Sequence, residues 1–253
     1  MEVGIIGAGN MARAIALGLD LPVHLTDGGS GRALQLATQV GGTAHSSNQD
    51  LAAACDLIIL CHKPAQLATV AGELQDFRGE LVSALAATPV AALTAVYPAA
   101  NVTRIMPNTP VEIGQGVVCI ARTTASDTPP NDAVVALFEH LGELVFIDEV
   151  VFEQATALGG CGPAFYALFA GAFIDAAVAH GMQRDQAGQI VAHTLTGTGA
   201  LLQERNFDTA AVQREVASPG GLTERALGSL NDAGLATIVA DAVDAVLGKE
   251  AKA

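Results

Sequence analysis

The chain has 253 residues, enough for one full hydrophobic core and a smaller second unit. Hydrophobic residues make up 51% of it and charged residues 15%, which excludes a disordered chain because ample apolar surface can be buried. The 26 acidic residues outnumber the 12 basic ones, and the net charge of −14 would repel nucleic acid and anionic lipid at long range. Nucleic acid and membrane surfaces are therefore poor candidates for partners.

Cysteine and histidine usage gives no sign of a secreted or metal-binding protein. The 4 cysteines are scattered without CxxC spacing, and the 6 histidines show no HExxH spacing. Met1 and Glu2 lead directly into an apolar run without a basic leader, so we expect no signal peptide. We therefore expect a cytoplasmic protein without a bound metal.

Two uncharged stretches are long enough to span a bilayer, Leu81–Thr103 and Gln154–Ile174. The first contains Pro89 and Pro98, and the second contains a glycine-rich turn and a proline in its middle. Because turn residues divide both stretches into ordinary helix and strand lengths, we expect buried elements rather than membrane spans.

Short apolar runs alternate with helical patterns up to about residue 147. The runs predict strands at Val3–Ile6, Val23–Thr26, Asp56–Cys61, Leu81–Ala84, Val102–Met106, Val117–Ala121 and Leu144–Ile147. Helices are predicted at Asn10–Leu19, Gly31–Gln39, Pro64–Gln75, Pro89–Val96 and Asn131–Leu141. Alternation of this kind is typical of βαβ units, and it predicts an α/β, Rossmann-like domain with a mainly parallel sheet covered on both faces.

Only helical patterns follow residue 148, at Glu149–Ala157, Pro163–His180, Arg184–Glu204, Asp208–Val216, Leu222–Asn231 and Leu235–Leu247. The chain is therefore predicted to divide into a dinucleotide-binding domain, residues 1–148, and an all-helical domain, residues 149–253. Pro163–His180 carries a single charge, Asp175, so no face of this helix suits water. A domain of this size does not easily surround such a helix, which favours a subunit interface over burial by neighbouring helices of the same chain.

The glycine-rich sequence Gly7-Ala8-Gly9-Asn10-Met11-Ala12 matches G-x-G-x-x-[GA], a weak signal by its pattern alone. The position of this sequence strengthens the signal, because Gly7–Ala12 follows the first strand and opens a helix whose free backbone amides favour binding of a pyrophosphate. The alternative is a purely structural glycine turn. We interpret the sequence as a dinucleotide-binding turn.

Asp27 closes the second predicted strand, where a carboxylate accepts the ribose hydroxyls of a dinucleotide. A negative charge there repels a ribose 2′-phosphate, which favours NADH over NADPH. The loop Gly28–Arg32 follows directly, and Arg32 or the loop amides are able to hold a phosphate, so both cofactors stay open.

Lys63 is the only lysine outside the last five residues, and it follows the apolar strand Asp56–Cys61. That position is the carboxyl end of a parallel strand, where open α/β sheets bind ligands. Pro64 then sets the first helical turn. The alternative is an ordinary loop lysine.

Five segments together resemble one family, the Δ1-pyrroline-5-carboxylate reductases. They stand in the family's order over nearly the whole chain: Gly7–Met11, Cys61–Pro64, Arg104–Pro110, Gly159–Phe165 and Ser218–Thr223. The last is the most specific, since Ser-Pro-Gly-Gly followed one residue later by Thr is not shared with dehydrogenases in general.

The resemblance implies a reductase that passes a hydride from NAD(P)H to the cyclic imine of pyrroline-5-carboxylate and forms L-proline. It implies cofactor contacts from Gly7–Ala12, Asn48, Lys63 and Pro64. It also implies substrate contacts from Ser218, Gly220, Gly221 and Thr223, with Thr223 as the catalytic residue beside the ring nitrogen. A homodimer or higher oligomer through the helical domain is expected.

An iminium accepts hydride without a strong acid, so such a site needs positioning and hydrogen bonds rather than a His or carboxylate pair. The amides of Gly220, Gly221 and the following helix start are suited to a substrate carboxylate. Thr223 would then offer its hydroxyl to the ring nitrogen.

The sequence departs from the family's usual residues at Gly159, Cys161, Leu222, Thr88 and His62. A change beside the binding turn, such as Leu222, favours keeping a related cyclic imine as an alternative substrate. Two other functional classes fit the sequence less well. A β-hydroxyacid-type dehydrogenase needs a helix-borne Lys, which the region of Thr196–Ala200 lacks, and a non-enzymatic NAD(H) sensor has no use for the Ser218–Thr223 turn.

Overall fold

The computed structural model describes residues 1–122 and 130–248. The chain separates into two compact units, the first spanning Met1–Pro163 and the second beginning at Ala164. The predicted domain boundary after residue 148 falls at the end of the last strand, Gly142–Asp148, ahead of that division.

The first unit alternates strands and helices in chain order. Its strands are β1 Val3–Ile6, β2 His24–Thr26, β3 Thr43–Ala44, β4 Leu57–Leu60, β5 Glu80–Ser83, β6 Asn101–Pro107, β7 Gly116–Arg122 and β8 Gly142–Asp148. Its helices are α1 Asn10–Leu19, α2 Arg32–Val40, α3 Asn48–Ala54, α4 Leu67–Glu73, α5 Val90–Val96, α6 Asp132–Glu139 and the short α7 Phe152–Ala155. Single 3₁₀ turns occur at Pro64–Gln66, Thr109–Ile113 and Glu149–Val151, and a π-helical turn at Thr156–Gly160 precedes α8, Gly162–Ala179.

The eight strands form one sheet in the order β3-β2-β1-β4-β5-β6-β7-β8. Neighbouring strands are parallel except β6 and β7, which are antiparallel. The mainly parallel sheet predicted from the alternating pattern is therefore confirmed. The order reverses direction at β1 and β4, and this is the point where open α/β sheets leave a crevice at the carboxyl ends of their strands.

Both faces of the sheet are buried at its centre, as β4 shows. Ile59 belongs to the hydrophobic cluster that contains Ile15 of α1, whereas Ile58 belongs to the cluster that contains Leu93 of α5. A strand covered on both sides has no water-facing residues to alternate with, which explains its uninterrupted apolar sequence. The uncharged stretch Leu81–Thr103 lies in this core, as expected.

The second unit contains the rest of α8 and the helices α9 Arg184–Glu204, α10 Thr209–Val216, α11 Leu222–Asp232 and α12 Leu235–Val246. Large apolar side chains of α8 remain exposed in the single chain, with Tyr166 at 65% and Leu168 at 75%. The helical run Glu149–Ala179 is long and apolar enough to cross a membrane, and among the described helices it is alone in this. The helices that the structure describes therefore leave α8 uncovered, and the burial expected for Gln154–Ile174 is not reached within the single chain.

The structure adds elements that the sequence pattern did not predict. β3 has two residues and α3 has seven, both too short for a periodic signal. α3 is instead fixed by Ser47, the N-cap that precedes it, whose hydroxyl accepts a hydrogen bond from the amide of Asp50 at 3.0 Å. The single helix predicted over Pro64–Gln75 is a 3₁₀ turn followed by α4.

Candidate functional site

A cavity of about 640 Å³ opens at the carboxyl ends of β1, β2 and β4. Most of the residues that line it come from the loops after these strands, from the start of α3 and from α4. They are Ile6, Gly7, Ala8, Gly9, Thr26, Asp27, Gly28, Ser30, Arg32, Ser46, Ser47, Asn48, Gln49, Cys61, His62, Lys63, Gln66, Thr69, Val70 and Glu73. Six of the ten predicted cofactor residues are in this set: Gly7, Ala8, Gly9, Asp27, Asn48 and Lys63.

The two glycines of the first turn have different surroundings. Gly7 has φ +106°, and a Cβ there would lie 2.7 Å from the carbonyl carbon of Cys61. Gly9 has no atom within 4 Å of the position its Cβ would take, so its missing side chain leaves open space. Gly7 therefore lets β1 and β4 approach each other, while Gly9 keeps the mouth of the turn free for a ligand.

The start of α1 presents backbone donors beside this turn. Gly9 is the N-cap and offers no side-chain hydrogen bond, so the amides of Asn10, Met11 and Ala12 have no intrahelical or capping acceptor. Their side chains are absent from the cavity wall, and Ala12 is fully buried against the sheet. These three predicted residues can meet a ligand through the helix N-terminus, which is suited to a phosphate group.

The carboxylate of Asp27 is engaged by its own loop. Oδ1 accepts the amides of Gly29 at 2.8 Å and Ser30 at 3.0 Å, and Oδ2 accepts the Ser30 hydroxyl at 2.8 Å and the Ala33 amide at 2.9 Å. Partial burial acts to raise the pKa of Asp27, but these hydrogen bonds outweigh it and lower the pKa to about 2. Asp27 lies where the sequence predicted, yet its charge is already shared among four donors.

Asn48 links the end of β2 to α4. Its Oδ1 accepts the hydroxyl of buried Thr26 at 2.6 Å, and its Nδ2 donates to Oε2 of Glu73 at 2.5 Å. Glu73 is the last residue of α4 and was not predicted as a site residue. No signal in the local sequence marks it, because its contact with Asn48 exists only in the folded protein.

Two cations lie on the cavity wall, Lys63 and Arg32. Lys63 is exposed, and its backbone amide donates to Gln66 Oε1 at 3.2 Å. Pro64, at the first position of the following 3₁₀ turn, is exposed but does not line the cavity. The Nε of Arg32 donates to the Ser30 hydroxyl at 3.1 Å, and the structure describes no carboxylate paired with either cation.

His62 contributes no positive charge to this cavity near neutral pH. Burial lowers the pKa of His62 and outweighs the opposing effect of its hydrogen bond with Lys63. Nδ1 lies 2.9 Å from the carbonyl oxygen of Lys63 and donates to it. An anionic ligand therefore meets Lys63 and Arg32 as the cations of the cavity.

Arg104, in another of the motif segments, has a structural role. It is buried, with Nη1 at 3.3 Å from Glu149 Oε1 and Nη2 at 2.8 Å from Glu153 Oε1. Its guanidinium also lies 4.3 Å from the centre of the Phe152 ring. These contacts fasten β6 to the helical segment that follows β8.

The turn Ser218–Gly221 leads into α11 in the second unit. Gly220 has φ +71°, and its amide donates to Glu224 Oε2 at 2.7 Å, while the Gly221 amide donates to the Ser218 carbonyl at 2.9 Å. The sequence-based expectation that these two glycine amides are free needs correction, because both are used within the turn. The unpaired donors are those of the first turn of α11, beginning at Leu222.

Thr223 is the second residue of α11 and is partly exposed. Gly221 is the N-cap of this helix, and the Thr223 hydroxyl makes no hydrogen bond to any residue that the structure describes. The same holds for the Ser218 hydroxyl. Thr223 therefore does not act as a helix cap, and its hydroxyl is available to a ligand.

A parallel sheet with a glycine turn, a free helix start and a carboxylate after the second strand defines a dinucleotide-binding protein. The family model described as "NADP oxidoreductase coenzyme F420-dependent" matches residues 2–87, and the model "Pyrroline-5-carboxylate reductase dimerisation" matches residues 149–253. The pyrroline-5-carboxylate reductase of Treponema pallidum is 33% identical, with 98% of this chain and 99% of that protein covered. The reductase of Aquifex aeolicus is 30% identical, with 96% and 94% covered.

Solved structures give the same result. The 1-pyrroline-5-carboxylate reductase of Streptococcus pyogenes matches with a TM-score of 0.86 and 29% identity, covering 98% of this chain and 97% of that one. The Plasmodium falciparum pyrroline carboxylate reductase, solved with NADP bound, matches with a TM-score of 0.84 and 25% identity, covering 97% and 95%. The chain belongs to the pyrroline-5-carboxylate reductase family, which confirms the resemblance drawn from the order of its motifs.

Proposed function

We propose that this protein reduces Δ1-pyrroline-5-carboxylate to L-proline with NAD(P)H. The observation that carries the proposal is the likeness to pyrroline-5-carboxylate reductases over nearly the full length of both chains. The cavity supports it, because a glycine turn without side-chain obstruction, a free helix N-terminus and Lys63 together suit a dinucleotide diphosphate.

The reaction adds one hydride to the imine carbon and one proton to the ring nitrogen. The bound nicotinamide supplies the hydride when the cofactor is present. A protonated imine already carries the positive charge that attracts a hydride, so the protein's task is to hold the ring in place and exclude wrong orientations. We propose Thr223 as the residue whose hydroxyl hydrogen-bonds the ring nitrogen.

The substrate carboxylate is proposed to bind at the turn before α11, where Ser218, Gly220 and Gly221 lie. Glu224 now holds the Gly220 amide at 2.7 Å, so an incoming carboxylate competes with this side chain. The open amides of the first turn of α11 offer it further donors. A carboxylate at a helix N-terminus is favoured by both the donors and the helix dipole.

The cofactor is proposed to be NADH or NADPH, held by Gly7–Ala12, Asp27, Asn48, Lys63 and Pro64. The four donors that share the Asp27 charge weaken its repulsion of a 2′-phosphate. Arg32 stands beside the same loop as a cation for such a phosphate.

The assembly is proposed to be a homodimer or larger oligomer in the cytoplasm, formed through the helical domain, residues 149–253, with residues 1–148 as the cofactor domain. The dimerisation family model matches this helical region. The exposed apolar side chains of Tyr166 and Leu168 are suited to burial in a subunit interface. Light scattering should find at least a dimer at micromolar concentration, and a Leu168→Glu variant should shift it toward monomer. A monomeric wild-type protein would contradict this.

Steady-state reduction of pyrroline-5-carboxylate, followed by the loss of nicotinamide absorbance, tests the proposed function. A related cyclic imine is the alternative substrate, because Leu222 beside the binding turn is 78% exposed and able to contact the ring. A six-membered cyclic imino acid should be assayed in the same way, and a β-hydroxy acid should be assayed with NAD(P)+ by the gain of nicotinamide absorbance. Turnover of the five-membered imine with the highest kcat/KM supports the proposal, and turnover of only one of the others would overturn it.

A further inference from the structure

We infer that Glu73 is a specificity-determining residue that recognises the adenine base of the cofactor by accepting a hydrogen bond from its exocyclic amino group. The inference rests on the proposed use of a nicotinamide dinucleotide. It concerns the part of the cavity wall that α3 and α4 supply.

The position of the Glu73 carboxylate is fixed by a short chain of hydrogen bonds. The buried Thr26 hydroxyl donates to Asn48 Oδ1, and Asn48 Nδ2 donates to Glu73 Oε2. Oε1, the other carboxylate oxygen, has no donor among the residues that the structure describes. Glu73 therefore lines the cavity with one oxygen anchored and one available, and an ionised carboxylate can only accept.

The cavity has a positive end and a negative end. Near β1 and β4 lie the N-terminus of α1 and the Lys63 ammonium, whereas Glu73 stands at the C-terminus of α4. A helix C-terminus carries partial negative charge, which adds to that of the carboxylate. The diphosphate of a dinucleotide is repelled from Glu73, so this end of the cavity suits an uncharged group with a donor.

Adenosine offers two kinds of donor, the ribose hydroxyls and the amino group on C6 of adenine. The ribose is expected beside Asp27, at the end of β2. The amino group is then the donor left for Glu73. Hypoxanthine has a carbonyl oxygen at the same position, which would face the carboxylate as a second acceptor and leave both unpaired.

The test compares binding of NADH and reduced nicotinamide hypoxanthine dinucleotide to the full-length protein, measured by nicotinamide fluorescence without any imine. A hydrogen bond to a charged group leads us to expect roughly 10- to 100-fold weaker binding of the hypoxanthine cofactor. Glu73→Gln can present either a carbonyl or an amino group, so the ratio of the two dissociation constants should fall toward one.

Asp76→Asn is the matched control, because it removes the same charge three residues further along, at an exposed position that does not line this cavity. It should leave the ratio at the wild-type value. Equal binding of both cofactors to the wild type, or an unchanged ratio in Glu73→Gln, would overturn the inference alone. Failure to bind either cofactor would overturn the proposed function with it.

Discussion

The two glycines of the first turn predict opposite consequences for the same substitution. In Gly7→Ala, the new methyl group would lie 2.7 Å from the backbone of Cys61, on a residue with φ +106°. Steric overlap with rigid backbone and a backbone conformation that L side chains rarely adopt together cost on the order of 2 to 5 kcal/mol. For a chain of this size, that corresponds to a fall in Tm of roughly 5 to 15 °C.

Gly9→Ala should behave differently, because nothing lies within 4 Å of the new methyl group and its φ of −82° suits any residue. The loss of a glycine N-cap is expected to change the free energy of unfolding by about 1 kcal/mol or less. The methyl group would instead occupy the approach to the α1 amides. Displacing the diphosphate by about 1 Å should weaken cofactor binding or turnover by roughly 100-fold.

Thermal melting and cofactor titration of both variants separate a loss of stability from a loss of cofactor binding. We expect Gly9→Ala to keep its Tm and lose affinity, while Gly7→Ala loses Tm. Wild-type values of both cofactor affinity and turnover in Gly9→Ala would refute the placement of the diphosphate at this turn, and a wild-type Tm in Gly7→Ala would refute the packing argument.

Three further predictions concern single side chains. Thr223→Ala should lower kcat/KM for the imine by roughly 10- to 150-fold, the equivalent of losing a hydrogen bond of about 1.5–3 kcal/mol. Cofactor affinity and Tm should stay unchanged, Thr223→Ser should restore activity, and an active but destabilised Ala variant would refute the catalytic role of Thr223. Arg32→Ala should raise the KM for NADPH more than that for NADH, and an unchanged ratio of the two would exclude contact with the 2′-phosphate. Asp27→Asn should destabilise the protein by about 1 kcal/mol at pH 7 after allowance for solvent screening. Since folding lowers the Asp27 pKa to about 2, the difference in free energy of unfolding between wild type and variant should shrink as the pH falls from about 4 toward 2. A difference that stays constant over this range in urea unfolding would contradict the prediction.

The fold was largely predictable because the central strands of the sheet are buried on both faces. Ile58, Ile59 and Leu60 form an apolar run that no water-facing residue interrupts, so β4 was visible in the sequence. α1 was predicted with its observed bounds, because Gly9 precedes its first residue as the N-cap and the apolar residues at helical spacing extend to Leu19. β3, with two residues, depends on pairing with β2, a long-range contact that local sequence does not encode.

The positions of the candidate site residues in the fold were predictable, but their hydrogen-bond partners were not. Asp27 stands at the end of β2 as expected, yet the loop folds back so that four donors reach its carboxylate. Glu224 reaches back one helical turn to the Gly220 amide in the same way. Both contacts depend on loop conformation, which spacing along the chain does not determine. Glu73 was missed because only the folded sheet brings α4 beside Asn48.

The central claim is direct transfer of a hydride from the nicotinamide to the carbon of the cyclic imine. It is tested by incubating the full-length protein with pyrroline-5-carboxylate and nicotinamide cofactor carrying deuterium on either face of C4, then analysing the product by mass spectrometry. We predict L-proline that carries one deuterium on the former imine carbon with one of the two labelled cofactors and none with the other. Proline without deuterium from both cofactors, or no proline at all, would contradict the account.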